Sequence, residues 1–296
     1  SAVDFVGFPI SQLRATRQVV SVFVGFLVLA LLAGLAITRV LNLVLSQTFD
    51  VPSARDMSAL SESWREAFGV IEFKGVHYPK SVILHAVFFY LRYAVSYRDL
   101  EEILAERGVA VDHATLNRWV VKFAPLIAAQ VQARKRSTAC SWRMDETYIK
   151  VKGKWTYLYR AVDRDGQTLD FMLSEHRNLA AARRFFKRAI DTNGVPDWVV
   201  IDKSGANLAG LQAVNVILKF TGDGRTIEVR QVKFLNNILE QDHRFIKRIT
   251  GPMMGFKAFH SAAATIAGIE AVHMIRKGQI PASGTTAFQT FVELAA

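Results

Sequence analysis

CSWRMDETYIKV (140–151) is the stretch whose reading decides the fold. It is rich in β-branched and aromatic residues, and two similar runs follow at once, KWTYLYRAVDR (154–164) and TLDFMLSEH (168–176). Asp163, Arg164, Asp165 and Gly166 supply turn chemistry between the second and third, so the three runs are predicted as successive strands. Downstream the period changes. NLAAARRFFKRAID (178–191) has helical spacing, DWVVID (197–202) is a short strand, ANLAGLQAVNVIL (206–218) is helical, IEVRQVKF (227–234) is a strand, and NNILEQDHRFIKRIT (236–250) is a long basic helix. Three strands followed by strand–helix alternation predict an α/β domain with a mixed sheet flanked by helices.

Three acids stand at telling places in that order. Asp145 lies within the first strand, Asp202 ends the fourth, and Glu240 sits in the first turns of the basic helix. A carboxylate inside a sheet strand is costly unless it is paired or binds a cation. Two carboxylates on adjacent strands and a third from a neighbouring helix would make an oxygen-rich pocket suited to Mg²⁺. Taken singly each has a structural role open to it: Asp202 as a turn residue, Glu240 as a partner of the helix dipole, Asp145 as one end of a salt bridge. Their distribution over strand, strand end and helix makes them a candidate site. His243, Arg244 and Lys247 follow Glu240 at helical spacing, with His243 a candidate base or phosphate donor or simply a surface histidine. The Trp155, Tyr157 and Tyr159 stripe alternates like one face of a sheet and reads as core packing. Residues 256–276 read as an amphipathic helix packing on the sheet.

Upstream, SVILHAVFFYLRYA (81–94) is an apolar helix. Ser96 then opens a second, with Asp99 completing a capping box and Gly108 stopping it. Asp112 caps a third, HATLNRWVVKFA, expected to end before Pro125. Two short helices and a tight turn after a supporting helix form a helix-turn-helix pattern. Leu116, Trp119, Val120 and Phe123 would face inward, leaving His113, Thr115, Asn117, Arg118 and Lys122 to face outward. A helical continuation over 126–137 ends in Arg134-Lys135-Arg136, a run that usually forms a solvated face but could touch phosphates.

The 296 residues allow a large domain or two modest ones, and the net charge of +11 points to a polyanionic partner, nucleic acid or an anionic membrane. Cys140 is the single cysteine, which excludes an intrachain disulfide framework and a cysteine-built zinc site. Residues 19–38 are twenty uncharged, mostly apolar residues, long enough as a helix (roughly 30 Å) to cross a bilayer. Residues 46–72 read as a linker, and the chain begins with Ser rather than Met, as a processed product or translated fragment would.

WRMDETYIKVKGKWTYLYRAVDRDG, VIDKSGAN and QVKFLNNILEQDHRFIKRITGPMMGFKAF together resemble the DDE domain of insertion-sequence transposases. FKGVHYP, SYRDLEEILAERGVAVDHATLNRWV and GIEAVHMIRKGQ are similar to one branch, the insertion-sequence-six family, whose members move by replicative cointegrate formation in bacteria. The likeness covers Phe73 to about Gln279. It implies a ribonuclease-H-like catalytic domain (126–296) behind an all-α helix-turn-helix domain (73–125), with 1–72 an N-terminal extension carrying the hydrophobic helix. It implies that Asp145, Asp202 and Glu240 are catalytic and hold Mg²⁺, two ions being expected and Mn²⁺ able to substitute. Lys247 matches the basic residue seven positions after the glutamate, and Arg244 joins it as a DNA contact. The implied partners are terminal inverted repeats and target DNA, handled by a homodimer or larger synaptic assembly. The implied location is the cytoplasm, at the nucleoid, with membrane attachment only through 19–38. Two departures accompany the likeness. The Asp202–Glu240 interval is a few residues long, the excess placed in the loop around Thr221-Gly222-Asp223-Gly224, and 1–72 has no counterpart, as a foreign reading frame joined at an insertion junction would not. Rival readings are a membrane-tethered DNA-binding regulator without catalysis and an inactive relic.

Overall fold

A computed structural model describes residues 71, 73 and 77–295 apart from 222–224, 233–236 and 282–285. The hydrophobic segment 19–38 and the loop centred on Gly222-Asp223-Gly224 lie outside the described residues. Among the described residues no helix is long and apolar enough to cross a membrane.

The predicted strands pair as one mixed sheet. β1 (Ser141–Val151), β2 (Lys154–Asp163) and β3 (Thr168–Ser174) form an antiparallel meander, and β4 (Trp198–Val200) and β5 (Glu228–Arg230) add in parallel, in the order β3-β2-β1-β4-β5. β4 and β5 are shorter than the sequence suggests. β4 pairs only with Ser141, Trp142 and Arg143 of β1, so Asp202 lies just beyond the strand rather than at its last position.

Strand alternation divides β1 between two apolar layers. Trp142 and Met144, with Tyr159 and Ala161 of β2, pack under α4 (Leu179–Asn193) and α5 (Gly205–Thr221) through Phe185, Phe186 and Leu211. Ile149 and Val151, with Leu158, belong to the opposite layer, which also contains α6 (Asn237–Thr250) through Ile246 and Ile249. That second layer is continuous with the N-terminal helices α1 (Lys80–Arg92), α2 (Tyr97–Ala105) and α3 (His113–Arg134) and with α7 (Phe259–Arg276) and α8 (Ala287–Ala295).

The capping signals hold. Ser96 Oγ accepts from Asp99 N while Asp99 Oδ2 accepts from Ser96 N, and Asp112 Oδ1 accepts from Ala114 N and Thr115 N. Gly108, at φ 75°, makes the turn between α2 and α3. Pro125 does not end α3, however; the helix runs on through it to Arg134. Proline removes a backbone donor at a cost of roughly 3 kcal/mol. Here Phe123, Ala124, Ile127, Ala128 and Val131 are buried along one side across the proline, each large apolar side chain contributing roughly 1.5–3 kcal/mol. The contact with α7 is close enough that a Cβ on Gly268 would stand 2.7 Å from the Ala124 Cβ.

Two further expectations change. α7 begins at Phe259 and is buried nearly all round, Glu270 and His273 included, rather than amphipathic, because α1, α3 and α8 enclose it together with the sheet. Of the aromatic stripe, Tyr159 is core but Trp155 is 63 % exposed. Lys135 is also not simply solvated: its Nζ donates to Leu169 O at the sheet edge, and burial pushes its ammonium down to about 8.

Candidate active site

Asp145 and Glu146 are consecutive on β1, so their side chains leave opposite faces of the sheet. Asp202, past the end of β4, reaches both. One carboxylate oxygen from each of the three lies within 4.8 Å of the others. The backbone fixes Asp202 through an Asx-type turn: its Oδ1 accepts from Ser204 N at 3.0 Å and from Asn207 Nδ2 at 3.2 Å, Asn207 being buried in the first turn of α5. Arg177, in the loop before α4, donates to Glu146 at 3.3 and 3.5 Å and to Asp202 Oδ2 at 3.1 Å.

Three acids and one arginine leave this cluster with excess negative charge. Burial, then the charges of Glu146 and Asp202, push the Asp145 carboxyl up to about 7, against the backbone N–H of Glu146 that donates to it. Burial also raises Glu146, opposed by Arg177. An all-oxygen, anionic, partly buried set of this kind fits a hard divalent cation.

α6 approaches the same end of the sheet. Its His243 places Nδ1 3.9 Å from Asp145 Oδ2, a near contact and too long for a hydrogen bond. Burial, then the charges of Arg160 and Lys247, push His243 down to about 3, so the ring is neutral at physiological pH. Glu240 stands one turn earlier, exposed and outside the 4.8 Å group. Arg244 and Lys247 are exposed while His243 is buried, so these residues do not share one face. On α3, His113, Arg118 and Lys122 are exposed and Thr115 and Asn117 half-buried. His113 Nδ1 lies 2.9 Å from Glu101 Oε2, and Arg118 donates to Thr115 Oγ1.

A second charged cluster secures α6. Arg160, fully buried on β2 opposite Asp145, donates to both carboxylate oxygens of Glu270 on α7, at 2.6 and 2.9 Å, and to Asp242 on α6 at 3.0 Å. Asp242 also accepts from Lys277 Nζ at 2.7 Å, and its Oδ1 lies 2.8 Å from His273 Nε2. Burial alone would raise Asp242. The His273 hydrogen bond and the charges of Arg160 and Lys277 instead hold it well below the usual carboxylate range.

Of the three acids singled out in the sequence, the structure places Asp145 and Asp202 together and Glu240 apart from them; Glu146, Arg177, Asn207 and Asp242 were not singled out. Glu146 could have been found from the Asp-Glu pair itself, since a ligand placed past a strand end meets residues from both faces. Arg177 lies in a loop with no periodic signal.

Comparison with known proteins gives a consistent picture. A family profile described as a DDE domain matches residues 139–279. The transposase for insertion sequence-like element IS431mec of Staphylococcus aureus is 41 % identical over 206 residues, covering 69 % of this chain and 88 % of the relative. The transposase for insertion sequence element IS257 in transposon Tn4003, also from Staphylococcus aureus, has the same identity and coverage. Among solved structures, the catalytic core domain of HTLV-2 integrase in complex with magnesium (dimeric form) is 18 % identical with a TM-score of 0.36, covering 53 % of this chain and 99 % of that one.

Proposed function

We propose that this chain, which belongs to the insertion-sequence-six family of DDE transposases, carries out its phosphoryl transfer on DNA where Asp145 and Glu146 of β1 meet Asp202 after β4, with His243 of α6 alongside. The observation that carries the placement is the gathering of Asp145, Glu146 and Asp202 within 4.8 Å. Asp145 and Asp202, joined by Glu240 from α6, would hold the divalent ions, two Mg²⁺ by likeness to the family, with Mn²⁺ able to replace them. Bound there, such ions supply activation of the attacking oxygen and stabilisation of the leaving oxygen in an in-line displacement.

The protein's own groups do the remaining work. Neutral His243 beside Asp145 adds no charge to compete with a cation. Arg177 offsets part of the charge of Glu146 and Asp202. Arg244 and Lys247, exposed on α6, hold the phosphates that the acids would otherwise repel. Water is the first nucleophile and nicks the transposon end; the freed 3′-hydroxyl is the second and attacks target DNA, in replicative transposition at the nucleoid.

Recognition belongs to residues 73–125 and catalysis to 126–296, α3 running across that boundary, with 1–72 an extension outside this division of labour. α2 and α3 act as a helix-turn-helix on the terminal inverted repeats. His113, Arg118 and Lys122 present cationic or hydrogen-bonding groups to the groove and backbone, with Thr115 and Asn117 between them. Two ends must be joined, so the working form is a homodimer or a larger synaptic assembly.

Cleavage of end-sequence DNA in Mg²⁺ tests this reading. Asp145→Asn and Glu240→Gln should each lose on the order of a thousandfold in rate. Cleavage that survives in Glu240→Gln removes that residue from the site, and cleavage that survives in Asp145→Asn overturns the site altogether.

A further inference from the structure

Farther along β1 lies a second concave feature, a cleft of about 560 Å³. It is lined by Tyr148, Lys150 and Trp155 of the β1–β2 hairpin, by Lys247 of α6 and by Gly255-Phe256. This part of β1 lies beyond the three residues that pair with β4. The loop after α6 docks onto it instead: Phe256 N donates to Lys150 O at 3.0 Å and Lys152 N donates to Phe256 O at 2.7 Å. Gly255 has φ 87°, and a Cβ there would stand 3.3 Å from Lys150 O, so a glycine lets the loop lie this close.

The lining has an unusual composition. Trp155 is 63 % and Tyr148 45 % exposed, two large rings 6.3 Å apart that present apolar faces to solvent. Met254, beside Gly255, is 93 % exposed on left-handed backbone. Packing does not explain this concentration of exposed apolar surface, which in a folded protein marks a binding site. Lys150 Nζ lies 5.9 Å from the Trp155 ring centroid, Lys247 is the second cation, and among the described residues no acid lines the cleft. Aromatic faces among cations are the chemistry that binds an unpaired nucleotide, with the base stacked and the phosphate paired. Base pairs within a duplex have both faces covered by their neighbours and cannot use it. Position narrows the occupant further. Tyr148 is two residues beyond Glu146, about 7 Å at strand rise. That distance is within a step or two of stacked nucleotides, at about 3.4 Å each.

We propose that this cleft seats an unpaired nucleotide of the DNA next to the phosphodiester being processed, its base against Trp155 and Tyr148 and its phosphate held by Lys150 and Lys247. The proposal rests on the carboxylate cluster being the cutting site.

The test is fluorescence anisotropy of the full chain with a labelled single-stranded oligothymidylate and with a duplex of equal length, in EDTA so that nothing is cut. Trp155→Ala should weaken single-strand binding by about tenfold and duplex binding by less than about twofold, and Trp155→Phe should restore most of the loss. Tyr148→Ala should act in the same direction, which guards against a defect peculiar to one variant. Lys247→Gln should weaken both ligands and reduce the salt slope by about one unit. Wild-type single-strand affinity in both alanine variants, or equal losses on the two ligands, would overturn the cleft. Wild-type cleavage in Mg²⁺ separates the two readings. A chain that cuts end DNA without a Trp155-dependent preference loses only the cleft. A chain that shows the preference and never cuts retains the nucleotide seat and loses the cutting site.

Discussion

Asp145 and Arg160 face each other across the β1–β2 ladder, yet they belong to charge clusters built in opposite ways. Around Arg160 the charges balance, with Arg160 and Lys277 against Glu270 and Asp242, and His273 bonded to Asp242. Around Asp145 they do not, with three acids against, among the described residues, Arg177 alone. The balanced cluster ties α6 and α7 to the sheet and carries no excess charge. The unbalanced one carries an excess of negative charge that a bound cation would offset. A shared strand ladder thus separates a structural site from a chemical one by sign alone.

Reciprocal substitutions would break this contrast most forcefully. Asp145→Asn should abolish cleavage while leaving the metal-free melting temperature equal or higher, because it removes a buried charge that lacks a counterion. Arg160→Met should do the reverse to the scaffold. Stranding Glu270 in the core, and taking one of three partners from Asp242, should cost about 3–5 kcal/mol of stability, read by denaturant unfolding. If Arg160→Met unfolds at the wild-type midpoint, the balanced cluster is not what holds α6.

How much of this contrast is legible in the sequence follows from the range of the interactions. The strand order and the acids Asp145 and Asp202 can be read because each is marked locally, by strand alternation or by a turn. Arg160 pairs with residues 82 and 110 positions away, and no local pattern announces such a partner. Glu146 is hidden by the alternation rule itself, which assigns it to the face opposite Asp145. Pro125 misleads because a local helix-breaking signal is weaker than the apolar face that α3 buries across it. α7 reads as amphipathic because Glu270, His273 and Arg276 interrupt it, but the first two pair inside the fold, with Arg160 and Asp242. Glu240 is legible as a helix-start acid, whereas its distance from the other acids depends on tertiary placement.

Metal addition probes the unbalanced side next. Mg²⁺ should raise the melting temperature, by the equivalent of about 2.7 kcal/mol at a hundred times its dissociation constant, since it binds the folded acids and not the unfolded chain. Asp202→Asn should lose most of that rise. A rise of the same size in Asp202→Asn would move the cation to another place on the chain.

The smallest effect is expected at Arg177, the one cation that already sits among the acids. Its side chain is a third exposed, so its pairs with Glu146 and Asp202 are screened by solvent and worth about 1 kcal/mol or less. Arg177→Gln should therefore lower metal-free stability only slightly, and it should leave Asp202 fixed by Ser204 N and Asn207. Its effect on the metal has the opposite sign, because removing a positive charge from beside three carboxylates strengthens their attraction for a cation. The Mg²⁺-induced rise in melting temperature should accordingly be larger in Arg177→Gln than in wild type, although the metal-free protein is less stable. A smaller rise would mean that Arg177 positions the acids for the ion rather than standing in for it, and the imbalance of charge would then not be what the cation corrects.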